Sequence, residues 1–212
     1  MIKILVADDH VVVREGLIRI IDQTSDLKVV GEAESSIEVL QKIRSIKVDV
    51  LLLDLGMPGR GGLEVIKQIK IEYPDLPVLV FSMHPEDQYE VRVLKAGASG
   101  YLNKRTPPDQ LLNAIRNAHS GKKFLSPIMN EKLATNLRAK PTELPHELLS
   151  DREFEVLCFL AAGKRIIDIA QQLGLSSKTI TSHRERILKK MKLKTNADLT
   201  RYCIEKKISI YS

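Results

Sequence analysis

Asp8, Asp9 and Asp54 are the residues of this 212-residue chain best placed to do chemistry, because each stands where an apolar run stops. Asp8-Asp9 follow Ile2–Ala7, and Asp54 follows Val48–Leu53. If both runs are strands of one parallel sheet, their ends lie side by side and three carboxylates share a crevice. Like charges crowded there repel, and a bound cation relieves the repulsion. Oxygen donors with coordination positions to spare suit Mg2+, which keeps waters and accepts phosphoryl oxygens. A carboxylate beside such an ion can attack phosphorus in line, which makes Asp54 the candidate nucleophile. Ser82, closing the run Pro77–Phe81, offers a hydroxyl to a phosphoryl oxygen, and Lys104, after Gly100–Leu102, brings a cation to the same edge. Taken singly, each has an ordinary alternative: paired acids cap helices, and Lys104 and Ser82 suit a surface and a turn. Their joint placement at strand ends singles them out.

The elements that must position these residues are legible in the first 120 or so residues. Five apolar runs, those above and the weaker Leu27–Ala33, alternate with helical patterns. Val13, Leu17, Ile20 and Ile21 recur near the 3.6 period, as do Val65, Ile66 and Ile69, and Leu111, Leu112, Ile115 and Ala118. Alternating strands and helices predict an α/β domain, a parallel sheet with helices on both faces and the strand C-termini on one edge. Gly59, Gly61 and Gly62 follow the third strand and lack phosphate-loop spacing, so they read as turn glycines.

The pattern changes near Ser126-Pro127. A helical stretch through Leu133 and Leu137 reaches Pro141 and Pro145, read as an interdomain linker. Beyond it everything is helical. Ser150 with Glu153 forms a capping box, Gly163 ends that helix, and Ile166–Leu173 makes a short one. Gly174 turns the chain, Ser176 or Ser177 caps a helix to about Met191, and Thr195 with Asp198 starts the last. Short helix, glycine turn and second helix amount to a helix-turn-helix pattern. Ile166-Ile167 open the short helix with two apolar residues; burial is the expectation for both, with a partner surface as the alternative.

Charge follows the same division. Residues 1–125 carry 17 basic and 17 acidic side chains, whereas residues 126–212 carry 16 and 10, so the whole excess of +6 lies in the C-terminal part. Confined to a small helical domain, that excess is either a solvated face or the footprint of a polyanion, most simply nucleic acid. On the 177–191 helix, Ile180, Ile187 and Met191 share one face, while Lys178, Thr181, Ser182, Glu185 and Lys189 share the opposite one. Isolated cysteines at 158 and 203 suggest a reducing cytoplasm, and scattered histidines suggest no zinc site. The N-terminus lacks signal-peptide character and no apolar run nears the ~20 residues of a membrane span, so no membrane partner is expected.

The motifs Ile4-Leu5-Val6-Ala7-Asp8-Asp9-His10, Leu53-Asp54-Leu55-Gly56-Met57-Pro58, Phe81-Ser82-Met83-His84 and Tyr101-Leu102-Asn103-Lys104 resemble the receiver domain of two-component response regulators. Leu149-Ser150-Asp151-Arg152-Glu153, Leu173-Gly174-Leu175-Ser176, Thr179-Ile180, His183 and Ile187-Leu188-Lys189-Lys190-Met191 resemble the LuxR-type helix-turn-helix, and the whole chain is similar to the NarL/FixJ family. The resemblance implies a flavodoxin-like doubly wound receiver, a five-stranded parallel sheet of order 2-1-3-4-5, over residues 1–122. A partly helical linker over 123–145 and a small all-α DNA-binding domain over 146–212 would follow. It implies that Asp54 accepts phosphate from a sensor histidine kinase and that Asp8, Asp9, Asp54 and the Gly56 carbonyl hold Mg2+. Lys104 would contact the phosphoryl group, and Ser82 and Tyr101 would form a coupled switch pair. Met83 fills a place that many receivers keep small. Lys178, Thr179, Thr181, Ser182, His183, Glu185, Arg186, Lys189 and Lys190 would meet double-stranded DNA, bound by a homodimer in the cytoplasm. Thr181 and Glu185 stand where relatives often carry lysine, so base preference does not transfer. A glutamate facing the groove suggests a contact to a cytosine amino group, unless it simply pairs with Lys189 one turn on.

Two other readings stand beside this one. A phosphatase of the haloacid dehalogenase type would use Asp54 as nucleophile, but it wants a second aspartate two residues later, where Gly56 stands. A DNA-binding protein with a vestigial receiver would not need the complete acidic set.

Overall fold

The computed structural model describes residues 1–83, 86–125, 144–206 and 208, with backbone only for 86–88. It divides into two compact units, Met1–Leu133 and Ala134–Ser212. The helical stretch through Leu137 and Pro141 of the expected linker lie outside the described residues.

In the first unit strands and helices alternate as β1 (Ile2–Ala7), α1 (Val11–Asp22), β2 (Leu27–Ala33), α2 (Ser36–Ser45) and β3 (Val50–Leu53). They continue as α3 (Gly62–Glu72), β4 (Val78–Ser82), α4 (Glu86–Lys95), β5 (Gly100–Asn103) and α5 (Pro108–His119). The strands form one sheet in the order β2-β1-β3-β4-β5, and every neighbouring pair is parallel. Strands β3 and β4 are apolar throughout, apart from Ser82, and wholly buried because helices cover both faces of the sheet. Leu17 and Ile21 of α1 and Leu111, Ala114 and Ile115 of α5 pack with Ile4, Val6, Leu52 and Leu79 on one face. Helices α2, α3 and α4 lie side by side, α2 on β2 and α4 on β5. The expected inward stripe of α1 is only partly right: Val13 and Ile20 are half-buried, while Arg14 is buried.

The alternative that Asp8-Asp9 cap α1 is not realised. His10 occupies the N-cap position, and no side chain caps that end. Of the three glycines after β3, Gly59 takes a positive φ of 107° and Gly61 precedes α3. Gly62 is needed for room, since a Cβ there would stand 2.7 Å from the Leu55 Cα.

The second unit opens with a 3-10 turn, Pro145–Leu148, and continues with α6 (Asp151–Ala161), α7 (Ile166–Gln172), α8 (Ser177–Met191) and α9 (Asn196–Glu205). The expected capping box of Ser150 and Glu153 forms, and Thr195 with Asp198, expected to start the last helix, makes a second: Ser150 Oγ accepts from the Glu153 amide and Thr195 Oγ1 from the Asp198 amide, with each acid returning to its partner's amide. Ser176 rather than Ser177 caps α8. Gly163 and Gly174 turn the chain at φ of 77° and 63°, a region costly for side chains with a Cβ. Ile180, Ile187 and Met191 of α8 are buried as expected. Cys158 and Cys203 are in no disulfide and have no exposure, and burial pushes the Cys203 thiol up to about 11.

Burial of Ile166-Ile167 is corrected. Ile167 is 62% exposed and Ile166 half-buried. Ile169 and Ala170 take the inward face of α7, and Ile167 sits about 100° around the helix from Ile166, which carries it off that face.

Candidate functional site

The strand ends converge because the parallel ladder continues one residue past each strand. The Asp8 amide donates to the Ala33 carbonyl at 3.0 Å, the Asp54 amide to Ala7 at 2.9 Å and the Lys104 amide to Ser82 at 2.9 Å. Asp8 and Asp54 are 1% and 4% exposed. The Lys104 ammonium lies between them, 2.7 Å from Asp8 Oδ2 and 2.8 Å from Asp54 Oδ2. Burial alone would lower the Lys104 pKa, but the carboxylates of Asp54 and Asp8 outweigh it and hold the ammonium above the ordinary lysine value. One cation thus answers two of the crowded carboxylates.

Asp9 stands at the mouth with His10, whose Nδ1 lies 2.9 Å from Asp9 Oδ1 and 3.3 Å from Asp8 Oδ1. One ligand atom from each of Asp8, Asp9, His10 and Asp54 falls within 4.8 Å of the others. Asp8 Oδ2 and Asp9 Oδ1 are buried with no well-aligned hydrogen bond, despite the nearby ammonium and imidazole. Three carboxylates against one ammonium leave negative charge that a hard divalent cation fits, so the residues present are compatible with Mg2+. The imidazole of His10 is a member of the cluster that the scattered histidines did not announce.

Ser82 and Tyr101 are both buried. Val80 pairs with Tyr101 in the β4–β5 register, and Ser82 lies two residues after Val80. With side chains alternating along a strand, Ser82 and Tyr101 therefore share one face of the sheet. Met83, by contrast, is exposed beyond the end of β4.

Arg14 was missed. Its Nη1 donates to the Asp8 carbonyl at 2.7 Å, its Nε to Glu32 at 2.9 Å and its Nη2 to Glu34. The guanidinium is buried between the end of β1 and the end of β2, where it grips the backbone that carries the acid pair. Its signal in the sequence was a charged residue at an inward position, three before Leu17.

On α8, Lys178, Glu185, Arg186 and Lys189 are exposed, and Thr179, Thr181, Ser182 and His183 are half-buried. Thr181 Oγ1 donates to the Ser177 carbonyl at 2.9 Å and Ser182 Oγ to the Lys178 carbonyl at 3.1 Å. Thr179 Oγ1 and Ser176 Oγ are 2.8 Å apart at the N-cap. Arg184 donates to Asn196 Oδ1 at 2.6 Å, tying α8 to the start of α9. Among the described residues no ion pair joins Glu185 to Lys189. Lys190, grouped with the DNA contacts from sequence, donates to Glu153 Oε2 at 2.6 Å and so braces α8 against the capping box of α6. Burial alone would raise the Glu153 pKa, but Lys190 and Ser150 outweigh it and hold the carboxyl below the ordinary glutamate range.

Comparison with known proteins meets this geometry at both units. Residues 4–116 match the response regulator receiver domain, and residues 147–203 match the bacterial regulatory proteins of the luxR family. The chain is 35% identical to the response regulator UvrY of Escherichia coli over 96% of its own length and 94% of UvrY. It is 36% identical to the oxygen regulatory protein NreC of Staphylococcus carnosus, over 97% of this chain and 98% of NreC. Its fold is similar to that of RcsB from Salmonella enterica serovar Typhimurium, solved on the promoter rprA with the phosphomimetic BeF3-. That likeness has a TM-score of 0.69 and 28% identity over 95% of this chain and 98% of RcsB.

Proposed function

Since the chain belongs to the NarL/FixJ-type response regulators, with a receiver and a LuxR-type DNA-binding domain, we propose that Asp54 phosphorylation controls its binding to promoter DNA. The observation that carries the receiver half is the Lys104 ammonium held 2.7 and 2.8 Å from Asp8 and Asp54. A sensor histidine kinase, or a small acyl phosphate in its place, supplies the phosphoryl group. An Asp54 carboxylate oxygen forms the new P–O bond, the P–N bond to the kinase histidine breaks, and the imidazole leaves with the electron pair. Asp8, Asp9, Asp54 and the Gly56 carbonyl would hold Mg2+, which when bound neutralises charge on the phosphoryl oxygens. Lys104, already desolvated, pairs with the phosphoryl group without reorganising. The Ser82 hydroxyl donates a hydrogen bond to a phosphoryl oxygen as Tyr101 moves with it, a two-state element biased by the new charge.

The output half is the face of α8. We take residues 1–122 as receiver, 123–145 as linker and 146–212 as the DNA-binding domain. Lys178, Arg186 and Lys189 neutralise phosphates, and Thr179, Thr181, Ser182, His183 and Glu185 approach the groove. Lys190 acts instead as a brace through Glu153. A homodimer presents two such helices to half-sites one turn apart, in the cytoplasm where the DNA is.

Incubation with acetyl phosphate and Mg2+ tests the reading. Intact mass should show one added phosphate on the wild type and none on Asp54→Asn. Undiminished labelling of that variant would overturn the assignment.

A further inference from the structure

We propose that the centre of α8 is an acceptor-only reading surface, so the chain selects bases that present amino groups in the major groove, cytosine and adenine. The inference rests on the proposed docking of α8 in that groove. Thr181 and Ser182 lie side by side on its outer face with Glu185 one turn further on, and Ile180, Ile187 and Met191 are buried behind them. A hydroxyl has one proton to give and lone pairs to offer. Thr181 Oγ1 gives its proton to the Ser177 carbonyl at 2.9 Å, and Ser182 Oγ gives its own to Lys178 at 3.1 Å. These bonds run back along the helix, so what remains for the groove is lone pairs. Glu185 is exposed, and a carboxylate only accepts.

Three acceptors therefore stand together where the base edges pass. The major-groove edge of guanine offers N7 and O6 and that of thymine O4, all acceptors that would face lone pairs. Cytosine N4 and adenine N6 carry the protons that this surface lacks. Lys178 and Lys189 bound the triplet, about 4.5 Å before Thr181 and about 6 Å after Glu185 along the axis. They hold the carboxylate in a cationic frame and serve phosphates or guanines at the two ends, while the centre is left to amino groups. Serine and threonine can ordinarily read either kind of base edge. Here the return bonds decide which kind.

Binding-site selection on the full phosphorylated chain tests this, followed by single-atom substitution. Two neighbouring central positions of each half-site should be enriched in cytosine or adenine on one strand. Replacing the selected cytosine by pyrimidin-2-one, which lacks only the amino group, should weaken binding about tenfold. Glu185→Gln, which adds an amide donor to the same shape, should move the preference at its position from cytosine toward adenine. Thr181→Val and Ser182→Ala should each flatten the base preference at their own position. Amino groups falling on opposite strands at the two neighbouring positions, or indifference to pyrimidin-2-one, would overturn the acceptor surface while leaving DNA binding intact. A chain that binds no duplex at all would overturn the underlying reading, and the proposal with it.

Discussion

Arg14→Met should loosen the acid pair while leaving the sheet folded, and its cost can be worked from the contacts. Methionine keeps the apolar stem, so little is lost in packing. Three hydrogen bonds go. Those to Glu32 and Glu34 reach carboxylates 49% and 60% exposed, where water and salt take up most of the loss, so each contributes less than about 1 kcal/mol. The third is a charged donor on the Asp8 carbonyl, in a residue 1% exposed, where no water replaces it. Orphaning such a group costs about 1–3 kcal/mol, so the variant should lose about 2–3 kcal/mol in all. Amide exchange at β1, read peptide by peptide, should quicken roughly thirtyfold or more. Mg2+ binding, followed by calorimetry, should weaken by about tenfold, since an outer contact that orients a ligand is gone. The control is Glu32→Gln with Glu34→Gln, which keeps Arg14, its bond to Asp8 and an acceptor oxygen at each position, and should cost less than Arg14→Met, at most about 2 kcal/mol. A double variant as damaging as Arg14→Met would refute the reasoning, because the exposed ion pairs and not the grip on the backbone would then carry the effect.

Three further outcomes are expected. Asp9→Ala should bind Mg2+ more weakly and take phosphate from acetyl phosphate more slowly, with its metal-free receiver at least as stable as wild type because a repelling charge is gone; equal rates at limiting Mg2+ would count against the site. Glu153, whose folded pKa is depressed, stabilises the second unit above the ordinary glutamate range, and that contribution disappears as pH falls through the lowered value. Thermal midpoints between neutral pH and about pH 3 should therefore fall less steeply for Glu153→Gln, which starts lower; parallel curves would show that Lys190 does not hold this carboxylate. Arg186→Ala should weaken binding to all duplexes about equally and reduce the slope against log salt by about one, whereas a changed base preference would move Arg186 from the backbone to the groove floor.

The sequence carried the receiver almost whole because strand runs buried on both faces are hard to mistake, and Val50–Leu53 and Val78–Ser82 have no solvent side to blur them. Asp8, Asp54 and Lys104 were legible for the same reason: each follows a run whose end is fixed by its ladder. What was not legible depends on partners distant in the chain. Lys190 reads as one more cation on a basic helix until Glu153, 37 residues earlier, is seen 2.6 Å away. Arg14, though at an inward position, reads as one more charge on α1 until the ends of β1 and β2 are seen to close around it. Ile167 misled because hydrophobicity was read without phase: on a helix of seven residues, one step around the axis separates core from solvent.

Both cysteines of the chain, Cys158 in α6 and Cys203 in α9, lie in the second unit and are sealed from solvent. A thiol reagent can reach them only when that unit opens, and the receiver holds no sulfhydryl to confuse the signal. The protein thus contains a reporter that watches one half while anything is done to the other. Phosphorylating Asp54, removing Mg2+ or unfolding the receiver can each be followed by the rate at which the far thiols become alkylated. Peptide masses distinguish opening at α6 from opening at α9. A bound duplex would slow that rate by the factor its affinity dictates, so the same two sulfur atoms, without any label, weigh the grip on DNA.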